Sequence, residues 1–145
     1  MSTTTSDLPF GAQLIGRTEK SLDALLKRVL VGTGLSESEY VALRVCADRA
    51  GDRRADVTAQ LAAALRKGED HAAGLVERLG DAGLIDTDPT AQVELTTAGH
   101  TLHERLVAET DTIVARLWGD LPSDDLAIAA RVLSTILRRA AAEPG

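Results

Sequence analysis

Basic side chains cluster in the middle of the sequence, where they could bind the phosphate groups of a nucleic acid. They are Arg53, Arg54, Arg66, Lys67 and Arg78. Guanidinium and ammonium groups hold phosphate oxygens and fix the register of a protein on a duplex without reading its sequence. His71 could add a further contact near the groove when protonated. The same stretch carries the carboxylates of Asp56, Glu69, Asp70 and Glu77. Because the two charges nearly balance, we expect weak nonspecific binding and a shallow dependence on salt.

Two short helices joined by a tight turn position these side chains. The apolar pattern predicts a third helix over residues 56–65 and a fourth over residues 69–82, with Gly83 as its left-handed stop. Short strands are predicted at residues 84–86 and 92–95, with a turn at Asp88-Pro89-Thr90. The order helix, turn, helix and hairpin is that of a winged helix-turn-helix, which reads the major groove with its second helix.

The fourth helix has one apolar and one polar face. The inward residues are Ala72, Leu75, Val76 and Leu79, and the outward residues are Asp70, Ala73, Gly74, Glu77, Arg78 and Asp81. Carboxylates repel phosphates and accept chiefly from the amino group of cytosine among base edges. This face therefore has the position of a DNA-reading surface but lacks its usual charge.

Helices also flank this unit on both sides. The first helix is predicted over residues 10–31, and the second begins at Ser36, which forms a capping box with Glu39 and continues to about residue 50. A fifth helix, capped by Thr96 or Thr97, extends to about residue 118, and Ser123 caps a sixth. The apolar side chains of the sixth helix cover an arc of roughly 200°, wider than one packed face requires. A second copy of the chain, or burial within a monomer, would explain that width.

Composition and length favour a mainly α protein. The chain has 145 residues, a net charge of −6 and very few aromatic residues, so Leu, Val, Ile and Ala must form the core. We expect a flexible arm at residues 1–9, a winged lobe at 35–96, and helical segments at 10–34 and 97–145, which the family resemblance described below assigns to a dimerisation domain. The first ten residues have neither a basic nor an apolar region, so we expect that they are not a signal peptide. With no membrane-spanning run and a single cysteine, the sequence predicts a cytoplasmic protein.

Other reactive residues give weaker signals. His103 lies within the apolar arc of the fifth helix, on the same side as Thr110. It is either a hydrogen-bonded core residue or part of a pocket or interface. His100 and Glu104 lie well round the helix from His103, so we predict no metal site. Cys46 lies between two apolar faces, where a thiol is normally inert, although a redox role is the alternative. With no catalytic arrangement in view, we predict neither an enzyme nor a cofactor.

The sequence resembles the MarR family of bacterial transcriptional regulators over about residues 10–140. Residues 75–85, LVERLGDAGLI, are similar to the family's "LVDRLEARGLV", and residues 95–99, LTTAG, are similar to "LTEAG". The resemblance implies a homodimer built from the first, fifth and sixth helices, with two winged lobes that bind a pseudo-palindromic operator on double-stranded DNA. It also implies a ligand pocket between those lobes and the dimer domain, and repression that a small phenolic or lipophilic anion, an oxidant or a metal relieves.

The sequence departs from the family pattern where DNA would be bound. The family usually opens its recognition helix with a run like "DRSTVTR", whereas residues 68–74 here read GEDHAAG, and residues 86–92 of the wing contain no basic side chain. We therefore keep two hypotheses. The first is a ligand-responsive repressor, and the second is a winged-helix dimer that has lost ordinary DNA binding and acts as a ligand-binding or protein-interaction module. The predicted effector contacts are Tyr40, Arg44, His103, Leu22 and Leu26.

Overall fold

Helices form most of the structure, as predicted for a mainly α chain. A computed structural model describes residues 7–86, 88, 90 and 92–144. Its helices are α1 (Ala12–Leu30), α2 (Glu37–Asp48), α3 (Arg54–Leu65), α4 (Glu69–Asp81), α5 (Thr97–Leu117) and α6 (Ser123–Ala142). The first six residues of the predicted arm lie outside the described residues.

Local signals explain the start of α2 and the end of α4. The Ser36 hydroxyl accepts from the Glu39 amide at 3.1 Å, and a Glu39 carboxylate oxygen accepts from the Ser36 amide at 2.9 Å, so the predicted capping box is confirmed. Gly83 ends α4 with a φ of +78°, as predicted. Ser123 is not the predicted cap of α6, because Pro122 occupies that position and no side chain caps the helix.

The turn between α3 and α4 is tight. Arg66 takes the left-handed conformation, with φ +55°, and its amide donates to the Ala63 carbonyl oxygen. The Lys67 amide donates to the Ala62 carbonyl oxygen, so two of the last carbonyls of α3 are satisfied before α4 begins. α3 begins at Arg54 instead of at the predicted Asp56. Arg53 is therefore the N-cap residue of α3, and Arg54 is its first residue.

The core of the lobe lies among α2, α3 and α4, which pack against one another, while α1 packs on α2. Its largest fully buried side chains include Leu43, Leu61, Leu75, Leu79 and Ile85. The predicted inward face of α4 is confirmed, since Ala72, Leu75, Val76 and Leu79 are all buried. Aliphatic packing of this kind holds the two helices of the helix-turn-helix in one fixed orientation.

The wing has less regular structure than the predicted pair of strands. Among the described residues, the pairing consists of isolated antiparallel bridges, Ile85 with Leu95 and Arg53 with Gln92. The Asp86 amide also donates to the Glu94 carbonyl oxygen at 3.0 Å. Of the predicted turn, Pro89 lies outside the described residues, while the Thr90 amide donates to an Asp88 carboxylate oxygen at 2.9 Å.

The chain divides into two compact units, Met1–Thr110 and Asp111–Gly145. The first contains α1 to α4, the wing and the first part of α5. The second contains the end of α5 and all of α6. α6 has no buried residue, and its exposed apolar side chains include Ile128, Leu133 and Leu137. In the part of the chain that the structure describes, no helix combines the length and apolar character needed to cross a bilayer.

Candidate nucleic-acid interface

The outward face of α4 is exposed along its whole length. Its exposed residues are Glu69, Asp70, His71, Ala73, Glu77, Arg78 and Asp81. Within the described residues, none of the carboxylates on this face forms an ion pair. Glu69 and Asp70 lie in the first turn, where a negative charge interacts favourably with the positive end of the helix dipole, so they also stabilise α4. The face that a winged helix-turn-helix presents to DNA is therefore open to solvent and predominantly acidic.

The exposed basic groups lie in the turn before α4, in the last turn of α4 and at the start of α3. Arg66 and Lys67 are exposed in the turn, and Arg78 is exposed in the last turn of α4. Arg53 has a side chain that is 80% exposed and pairs with Asp56 at 3.5 Å across the first turn of α3. An ion pair this exposed is weak, so the Arg53 guanidinium stays available to another anion.

Arg54 has a different environment from the other predicted phosphate contacts. It is half-buried, and its Nη2 donates to the Asp86 carbonyl oxygen at 2.7 Å and approaches that of Asp88 at 3.5 Å. Its Nε is buried and has no hydrogen-bond partner among the described residues. The side chain thus ties the start of α3 to the wing, a role that sequence spacing did not predict.

A second contact holds α3 against its neighbour. Arg49, just after α2, donates to the Gln60 side-chain oxygen at 3.0 Å and to an Asp52 carboxylate oxygen at 3.1 Å. Because Gln60 lies in the middle of α3, this guanidinium joins the end of α2 to the first helix of the helix-turn-helix. Arg49 and Arg54 together fix α3 between α2 and the wing.

The residues predicted to bind an effector lie in different environments. Leu22 and Leu26 line an open groove of about 380 Å³ between α1 and α2. Tyr40 is buried, and the Arg44 guanidinium carbon lies 6.0 Å from the centre of its ring, at the outer limit of a cation–π contact. As the described residues define it, the lining of this groove includes neither of these two nor His103, which is half-buried on α5.

Cys46 is fully buried in α2. Burial raises the pKa of the thiol to about 11, and the nearby positive charge of Arg54 offsets part of this shift. A thiol in this environment remains protonated at neutral pH and reacts slowly, as the sequence predicted. Among the described residues, no three His, Cys, Asp or Glu side chains come close enough together to hold a metal ion.

Comparison with known proteins shows similarity in structure. No protein-family model matches the sequence, and no curated protein matches it. Solved structures do match. The MarR family protein Rv2887 of Mycobacterium tuberculosis in complex with DNA is 25% identical, with a TM-score of 0.66 over 90% of this chain and 98% of that one.

Other matches were solved with small molecules. Rv2887 of M. tuberculosis in complex with salicylic acid is 25% identical, with a TM-score of 0.61 over 90% of this chain and 99% of that one. CouR of Rhodococcus jostii RHA1, bound to p-coumaroyl-CoA, is 22% identical, with a TM-score of 0.71 over 85% of this chain and 88% of that one. Further matches, among them PA3341 and a MarR family protein of Rhodococcus sp. RHA1, are transcriptional regulators. The resemblance seen in the sequence is confirmed in three dimensions, and the chain has the winged-helix fold of MarR family transcriptional regulators.

Proposed function

We propose that this chain is a DNA-binding transcriptional regulator that acts as a homodimer and represses genes until a small effector binds. One observation carries the proposal. The outward face of α4 is exposed directly after a tight helix-turn-helix, in a chain that shares its fold with a protein solved in complex with DNA. A helix in this position is suited to the major groove. The proposed activity takes place in the cytoplasm.

The charges of the interface predict how it would bind. The exposed cations Arg53, Arg66, Lys67 and Arg78 lie around α4, with His71 on its first turn. Each cation that contacts a phosphate adds about one unit to the slope of log affinity against log salt. Because four carboxylates lie on the outward face of α4, phosphate contacts of the cations would set the position, and any preference for sequence would involve the amino groups of cytosine.

A salt-titrated binding assay tests this proposal, using the DNA upstream of the chain's own gene and a scrambled duplex of equal length. We expect a preference for the upstream DNA, and a salt slope that falls by about two units per protomer in an Arg66→Ala, Lys67→Ala double variant. Arg17→Ala, an exposed arginine on α1, is the matched control and should leave the slope unchanged. Equal and weak binding to both duplexes at low salt would contradict the proposal.

The dimer in this proposal is supported by α6. A helix with exposed Ile128, Leu133 and Leu137 and no buried residue has an apolar surface that another polypeptide could cover. A two-fold pair would present two copies of α4 about one helical turn of DNA apart. Effector binding would then act by changing the distance between the two copies.

The unpaired carboxylates of α4 favour a second candidate function. Glu69, Asp70, Glu77 and Asp81 together form a surface that repels DNA and attracts basic protein segments. In this alternative, the chain keeps its fold but serves as a protein-interaction or ligand-binding module. The same assay separates the two, since this candidate predicts no sequence preference at any salt concentration.

A further inference from the structure

A groove between α1, α2 and the end of α3 combines an apolar floor with an acidic rim. Leu22, Leu26, Val41 and Leu65 supply the apolar part of its lining. Glu19 and Asp23 on α1, with Glu37 and Ser38 on α2, supply the polar part. Its volume of about 380 Å³ is within the range of small-molecule sites, which are largely apolar with a few polar groups that orient the ligand.

The rim has an excess of negative charge. Lys27 Nζ lies 3.3 Å from Asp23 Oδ2 and 3.5 Å from Glu37 Oε1, so one ammonium is shared by two carboxylates. Glu19 is exposed and forms no ion pair among the described residues. Three carboxylates therefore share the rim with one cation, which pairs with only two of them. An anion entering the groove would meet repulsion, whereas a cation would find a carboxylate without a partner.

We propose that this groove binds an amphipathic organic cation, with the apolar part on the leucines and the positive charge among Glu19, Asp23 and Glu37. The proposal rests on the proposed function in one respect, since it names the chemical class of the effector. An organic cation differs from the phenolic or lipophilic anion, the oxidant and the metal that the resemblance implied. Apolar contact supplies affinity in such a site, and the carboxylates select the sign of the ligand's charge.

A second copy of the chain is a poorer fit to this groove. The chain has a net charge of −6, so a copy brings further negative charge toward an acidic rim. The exposed apolar side chains of α6 suit a copy better, because residues 126–142 of that helix include arginines and no carboxylate. Lys27 is 63% exposed, so it can move aside for a ligand at little loss of stability.

Two ions of equal shape and opposite charge test the proposal without DNA. We expect isothermal titration calorimetry to show tetraphenylphosphonium binding at least about tenfold more tightly than tetraphenylborate. Asp23→Asn should weaken cation binding roughly two- to fivefold. Lys27→Gln should strengthen it by a similar factor, a gain that cannot come from unfolding. Glu143→Gln, a carboxylate at the end of α6, is the matched control and should change nothing.

Several results would overturn the proposal. They are tighter binding of tetraphenylborate, weaker cation binding in Lys27→Gln, and cation binding that disappears as the chains associate, which would assign the groove to a second copy. Addition of tetraphenylphosphonium to a protein–DNA complex is a separate measurement. If the cation binds but the chain never binds DNA, the proposed function fails and the groove assignment stands.

Discussion

Helices α4 and α6 are both amphipathic, but only α4 has its apolar side covered. In α4, Leu75, Val76 and Leu79 are each about 1% exposed, and its polar side faces solvent. In α6, Leu133 is 46% exposed and Leu137 is 67% exposed, and no residue is buried. The winged lobe thus completes its core with its own residues, whereas α6 has apolar side chains that its own unit, residues 111–145, does not bury.

Truncation of a core residue in α4 should have the largest effect. Leu75→Ala removes a buried side chain and should lower the free energy of unfolding by about 2–5 kcal/mol, measured by urea denaturation. Ala73→Ser, on the exposed side of the same helix, should stay within about 0.5 kcal/mol of the parent. If both variants unfold at the same urea concentration, the packing described for α4 is incorrect.

A charge on the apolar side of α6 should act on association instead. Leu133→Asp should raise the dissociation constant of the proposed dimer at least about 30-fold, because a buried unpaired carboxylate is unfavourable, while single chains keep their stability. Sedimentation equilibrium over a range of concentrations measures this. Ser134→Asp introduces the same charge on the polar side of the helix and should leave association unchanged.

Gly99 and Gly74 differ in the space available for a side chain. A methyl at Gly99 would overlap the Leu84 carbonyl oxygen, so Gly99→Ala should destabilise the lobe by about 1–3 kcal/mol. Gly74 lies inside α4 with no atom in the way, so Gly74→Ala should stabilise it by about 0.5–1 kcal/mol. Thermal denaturation should give shifts of opposite sign, and shifts of equal sign would contradict the close contact at Gly99.

Capping gives the smallest contrast between the lobe and α6. Ser36→Ala should lower the stability by about 1 kcal/mol, because the Ser36 hydroxyl accepts from the Glu39 amide. Ser123→Ala should change it by less than about 0.5 kcal/mol, because no side-chain bond caps α6. Urea midpoints of the two variants measure the difference, and a larger loss at Ser123 would reverse the assignment.

Much of the winged lobe was predictable because its signals are local. The period of Leu75, Val76 and Leu79 fixed the inward face of α4, and the spacing of Ser36 and Glu39 fixed the start of α2. The start of α3 was predicted two residues too late. Arg53 occupies the N-cap position without a side-chain hydrogen bond, so no capping residue marks this start in the sequence. The strands were predicted too long, because the described part of the hairpin pairs only at isolated bridges.

The site was less predictable because its contacts are distant in sequence. Arg54 reads as a phosphate contact from its charge and place, but its guanidinium reaches the wing carbonyl of Asp86. Tyr40, a predicted effector contact, lies on α2, which packs against α1, α3 and α4, and the Tyr40 ring is buried. Leu22 and Leu26 do line a groove, but the acidic residues on its rim come from both α1 and α2. The apolar period of one helix does not show which residues of another helix lie beside it.

Thr96 joins the end of α4 to the start of α5 without involving the tip of the wing. Its hydroxyl donates to the Gly83 carbonyl oxygen at 2.6 Å and accepts from the Gly99 amide at 3.0 Å, and its own amide donates to the Leu84 carbonyl oxygen at 3.0 Å. With Gly99 pressed against Leu84, this junction has no slack. A tilt at the start of α5 would therefore be transmitted to the end of α4 through these contacts. This coupling does not depend on the length or composition of the wing tip.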